Sequence, residues 1–149
     1  MLILLTLTAL VLLPATPLQA QEPPSREPTA MTEAAEAAIR AGVDLHDKGE
    51  FDAAIAKYRE VLASSPGNVV ALFELAYSQL ARREFDQALD TARTGAAYRS
   101  DLLPMFYDVM ASAFDSKGQP QQAIEAYRQG LALAPEASQL YFNMAVTYR

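Results

Sequence analysis

The chain has 149 residues, 51% of them hydrophobic and 20% charged, enough for one ordinary domain with a core and too apolar for wholesale disorder. A formal charge of −6 at neutral pH argues against DNA or RNA as the main partner, because phosphate binding needs a basic face. The absence of cysteine removes disulfides, thiol chemistry, cysteine-ligated zinc and a lipid anchor on an N-terminal cysteine.

Met1–Leu13 is an apolar run of about the length of a signal-peptide core and too short for a membrane-spanning helix of ~20 residues. Pro14 and Pro17 follow, and Ala20 is a plausible cleavage point. The expectation is a signal peptide over residues 1–20 and export to a bacterial periplasm. No Lys or Arg precedes the apolar run, which departs from the usual pattern. The alternatives are an uncleaved N-terminal anchor, which would be the route to the membrane, or a start codon further upstream. Residues 21–31, with prolines at 23, 24 and 28, read as a disordered, solvated linker.

Seven helices are expected beyond it: Thr32–Asp47, Phe51–Ser64, Asn68–Arg82, Phe85–Tyr98, Leu102–Lys117, Pro120–Leu133 and Glu136–Tyr148. They fall into a repeat. Gly49, Ala54, Ile55, Tyr58, Arg59, Leu62 and Pro66 recur as Gly118, Ala123, Ile124, Tyr127, Arg128, Leu131 and Pro135. Midway between them lie Phe85 and Ala88, in register with Phe51 and Ala54. In the upstream halves, Gly42, Ala76, Ala111 and Ala145 are all small and follow one another at spacings of 34, 35 and 34 residues. Such a period means stacked helix pairs, with small residues where helices approach closely and Gly at a tight turn inside each pair. Arg83 occupies that turn in the middle repeat, so the turn there should be strained or differently shaped. Asp101 is the expected N-cap of the fifth helix.

This pattern resembles the tetratricopeptide repeat. The resemblance covers residues 35–68, 69–103 and 104–137 as three repeats and residues 138–149 as the first helix of a fourth. It is weakest in the second, where Ala92 and Gly95 depart from the family pattern. It implies an all-α, right-handed solenoid whose first helices line a concave groove that binds peptides or extended protein segments. Carried onto this sequence, the groove positions are Glu36, Ile39, Val43, His46 and Asp47 in the first repeat. The second supplies Val70, Phe73, Tyr77, Leu80 and Ala81, and the third Met105, Asp108, Ser112, Asp115 and Ser116. The cations that grip acidic tails in some members are missing, since Ile39 and Val43 stand in their places. What remains is an apolar strip, Ile39, Val43, Phe73, Tyr77 and Leu80, grading into an acidic end at Asp108 and Asp115.

Little in the sequence suggests catalysis, a cofactor or a metal. His46 is the single histidine and reads as a solvated side chain at a helix C-terminus. The acidic run Asp44, Asp47, Glu50, Asp52 lacks the spacing of a calcium loop. The sequence therefore points to a non-catalytic adaptor of the cell envelope, or to the docking region of a larger envelope enzyme or assembly factor. Ser138–Arg149 is apolar on nearly every side, which implies further repeats, a partner or a second copy against it.

Overall fold

Two helix starts are set by side chains that satisfy a free N–H group of the first turn. Thr32 Oγ1 accepts from Ala35 N–H at 3.1 Å, and Asn68 Oδ1 accepts from Ala71 N–H at 2.9 Å. These caps open α1 (Glu33–Asp47) and α3 (Val69–Ala81) in a computed structural model that describes residues 23–148. Their partners are α2 (Phe51–Ser64) and α4 (Phe85–Ala96). A third pair, α5 (Leu103–Ser116) and α6 (Pro120–Leu133), is followed by α7 (Ser138–Thr147). Asp101 does not cap α5; the helix starts from Leu102, whose N–H donates to Ser100 Oγ at 3.0 Å. Here Ser100 answers the free amide, one residue away from the position expected.

The turn inside each pair is left-handed: φ is +78° at Gly49, +70° at Gly118 and +67° at Arg83. Arg83 thus keeps the shape of the turn and bears the strain that glycine avoids.

Each helix packs on the next, and α1, α3, α5 and α7 also touch one another in sequence, which curves the stack into a right-handed solenoid. Ala54, Ala76, Ala88, Ala111 and Ala123 are fully buried at the close approaches. Gly42 is the tightest of them in the first pair, because a Cβ there would lie 2.5 Å from Tyr58 Cε1. Ala145, in the same register, is exposed. Gly95, a departure from the family pattern, has a packing cause: a Cβ would lie 2.2 Å from two ring atoms of Phe106, which is wholly buried over it. Two core clusters result, one around Ile39, Ile55, Tyr58 and Leu75, the other running from Leu72 to Leu140. Leu62 packs against both and makes them continuous.

The stretch expected to be a disordered linker is different from that reading over its described part, residues 23–31. It is extended, as its prolines require, but it is bonded across the loops that join the repeats. Arg26 N–H donates to Ala97 O at 3.1 Å and Arg99 N–H donates to Arg26 O at 2.8 Å, a short parallel bridge. Thr29 N–H donates to Gly67 O at 2.9 Å. Arg99 adds an ion pair to Glu27 at 2.6 Å, and Arg26 lies over the Tyr98 ring. Gly67 is required where this strap crosses, since a Cβ there would meet Thr29 Oγ1 at 2.7 Å. The apolar segment read as a signal peptide lies outside the described residues. Among those described, no helix is long and apolar enough to cross a membrane.

Candidate functional site

The concave face is built from one side of α3, α5 and α7. On α3, Phe73, Tyr77 and Leu80 fall at i, i+4 and i+7, one helical stripe. Met105, Asp108, Val109 and Ser112 form the facing stripe on α5, and Gln139 and Asn143 close the end from α7. Together they enclose a pocket of about 420 Å³. A shallower concavity of about 320 Å³ continues past Ser112 and Asn143 to Asp115, Phe142 and Val146.

Aromatic stacking fixes the α1 side of this face. The His46 and Tyr77 rings are stacked at 5.0 Å, and Phe51 meets His46 edge-on at 5.1 Å. Tyr77 in turn stacks on Phe73 at 6.0 Å, and Phe73 meets Phe106 edge-on. Tyr77 is therefore held in place from both sides while remaining 47% exposed. His46 is not the solvated side chain expected; it is half-buried, with Nδ1 hydrogen-bonded to the buried Ser78 Oγ at 2.7 Å. Its neighbours are rings and a hydroxyl, a structural setting that positions Tyr77.

Of the apolar strip, the structure brings Phe73, Tyr77 and Leu80 together in the pocket and leaves two members out. Ile39 is buried in the first core cluster, its short branched side chain enclosed beside Ile55, Ala71 and Leu75. Phe73, in the same register one repeat on, is longer and reaches the groove. Val43 is half-buried at the margin of that cluster and does not line the pocket. Met105, 44% exposed, belongs with the strip as an apolar wall. Gln139 and Asn143 were missed, although the repeat register places them 34 residues after Met105 and Val109.

The electrostatics also differ from an apolar strip with a separate acidic end, because Asp108 shares the pocket with the apolar residues. Burial pushes its carboxyl up from the ordinary carboxylate range, and a hydrogen bond from Asn143 Nδ2 to Oδ1, at 3.0 Å, pulls it back. On the α1 side, burial pushes the Glu74 carboxyl up and the charge of Asp47 adds to the effect. Among the described residues, neither the pocket nor the adjoining concavity is lined by Lys or Arg. Several cations are engaged elsewhere: Arg82 with Asp52 and Glu84, Lys117 with Asp86, Arg99 with Glu27. No group of three His, Asp or Glu among the described residues is placed to hold a metal ion.

Two family models, each described as tetratricopeptide repeat, match residues 45–112 and 109–149, and so run continuously from α1 to the end of the chain. The chain is a tetratricopeptide repeat protein. Its fold matches TTC0263, a thermophilic tetratricopeptide repeat protein of Thermus thermophilus, at 25% identity and a TM-score of 0.69, over 76% of this chain and 64% of that one. MamA from Desulfovibrio magneticus matches at 20% identity and 0.67, over 76% and 63%. The second tetratricopeptide domain of human RPAP3, solved with the HSP70 peptide SGPTIEEVD, matches at 17% identity and 0.68, over 77% and 95%. This tetratricopeptide chain thus spans just under two thirds of the first two proteins and nearly the whole of the RPAP3 domain. Among curated proteins, none matches its sequence.

Proposed function

We propose that this protein is a non-catalytic scaffold that holds an extended segment of a partner protein in the groove of α3, α5 and α7. One observation carries the reading: Tyr77 and Met105 stand exposed on opposite walls of a preformed pocket, and Tyr77 is already braced by His46 and Phe73. A braced aromatic loses little conformational freedom on binding, which favours it as an anchor. The RPAP3 domain holding a peptide supports the same use of the same fold. Tyr77→Ala with Met105→Ala should weaken capture of partner protein from cell extract at least about tenfold, while leaving the melting temperature nearly unchanged. Equal capture by the variant contradicts the proposal. Phe73→Asp is not a clean probe, because Phe73 packs against the core.

Export to a bacterial envelope is part of the same proposal, supported by the uncharged run before Glu22. An intact mass of the protein from fractionated cells tests it; a cytoplasmic chain retaining residues 1–20 contradicts it. A second reading, stacking of further repeats or of a second copy on α7, is favoured by the exposure of Tyr141, Phe142, Val146 and Tyr148. It is also the form in which these repeats would dock a larger envelope enzyme or assembly factor. Sedimentation showing a concentration-independent monomer contradicts self-association.

A further inference from the structure

The groove reading leaves open which chemistry the segment carries, and the pocket's charge answers that question. Asp108 sits among Phe73, Tyr77, Leu80 and Met105, half-buried. Its Oδ1 accepts from Asn143, and Oδ2 takes no hydrogen bond among the described residues. Among the described residues, no cation lines the pocket. Beyond it the adjoining concavity carries another carboxylate, Asp115, and again no cation among the described residues. On the other side, Asp47 lies close enough to Glu74 to raise its pKa.

We infer that the groove takes a basic-apolar peptide segment, with a lysine or arginine side chain paired to Asp108 and an apolar neighbour against Tyr77 and Met105. This rests on the groove reading and specifies its ligand. Three occupants compete on physical grounds. An acidic segment would bring like charge to Asp108 with no cation to offset it, which is repulsive in a partly desolvated site. An apolar segment would cover Asp108 and leave a charge or an unpaired carboxyl without water. A basic segment instead gives Oδ2 a charge-assisted partner. Its methylene stem can lie along Leu80, Met105 and the exposed part of Tyr77. The Asn143 bond, made from the pocket's α7 wall, holds the carboxylate in place, so the acceptor is oriented before the ligand arrives.

The test uses the full chain and three pools of fluorescent nonapeptides. Each pool has two fixed leucines and two further positions fixed as lysine or arginine, as aspartate or glutamate, or as serine or asparagine. Anisotropy should show the basic pool binding at least about tenfold more tightly than the other two. Asp108→Asn, which keeps an acceptor for Asn143, should remove about that advantage, and Asp90→Asn on exposed α4 surface should not. Circular dichroism and melting of both variants verify that they are folded. Equal or tighter binding of the acidic or neutral pool, or unchanged basic-pool affinity in Asp108→Asn, overturns the inference. If the acidic or neutral pool wins and Tyr77→Ala abolishes its binding, the groove reading stands and the cation falls. If no pool binds in a Tyr77-dependent way, both fall.

Discussion

Phe106 and Gly95 illustrate how a residue that weakens a repeat pattern strengthens a particular packing. With no Cβ at position 95, the Phe106 ring sits directly on the α4 backbone and is fully enclosed. Gly95→Ala should therefore overpack the contact and destabilise by about 1–3 kcal/mol in denaturant unfolding. Arg83 is the opposite case. Its left-handed φ costs a non-glycine residue energy, offset in part by the guanidinium lying over the Phe85 ring. Arg83→Gly should stabilise by about 0.5–1 kcal/mol, reproducing the turn chemistry of Gly49 and Gly118. A destabilised Arg83→Gly variant would mean that the cation–ring contact outweighs the backbone strain.

At the scale of elements, the helices and their pairing were legible in the sequence because a 34-residue period and small residues in register leave few alternatives. The described helix boundaries differ from the expected ones by at most two residues. The strap was not legible: prolines dictate an extended path, but nothing local says that Gly67 and Ala97 carbonyls wait for it. Backbone-to-backbone docking leaves almost no side-chain signature. Hydrogen exchange should find the amides of Arg26, Thr29 and Arg99 protected, since each donates within the strap or its dock. Exchange at random-coil rates would return the segment to a free linker. The groove was legible in half. Phe73, Tyr77 and Leu80 follow from helical spacing, whereas Ile39 shows that register alone does not fix exposure. Side-chain length and the first core cluster enclose it.

For the whole molecule, the raised carboxyls of Asp108 and Glu74 set the sign of one pH effect. Only between the ordinary carboxylate range and the raised values do their folded forms hold protons that the unfolded chain has released. Their contribution to stability is complete below the ordinary carboxylate range and is lost as pH rises through the raised values. At neutral pH, Asp108→Asn with Glu74→Gln should therefore melt at or above the wild-type temperature, the difference shrinking on acidification. Melting below wild type at neutral pH would contradict this. Tyr58, pushed up to about 12 by burial, with Glu74 and Asp47 adding to the shift, repeats the logic in alkali. Stability should fall as pH rises from 10.0 towards that value.

Asp108 links stability to function, since a groove that tolerates a half-buried acid at some cost presents that acid to a ligand. The central claim is that the concave face is the binding surface. An amide-resolved NMR titration with the tightest peptide of the three pools tests it most directly. The account predicts shifts concentrated at Tyr77, Met105, Asp108, Ser112 and Asn143, on α3, α5 and α7. Shifts concentrated instead on the outer helices α2, α4 and α6, around Arg59, Arg93 and Arg128, would contradict it.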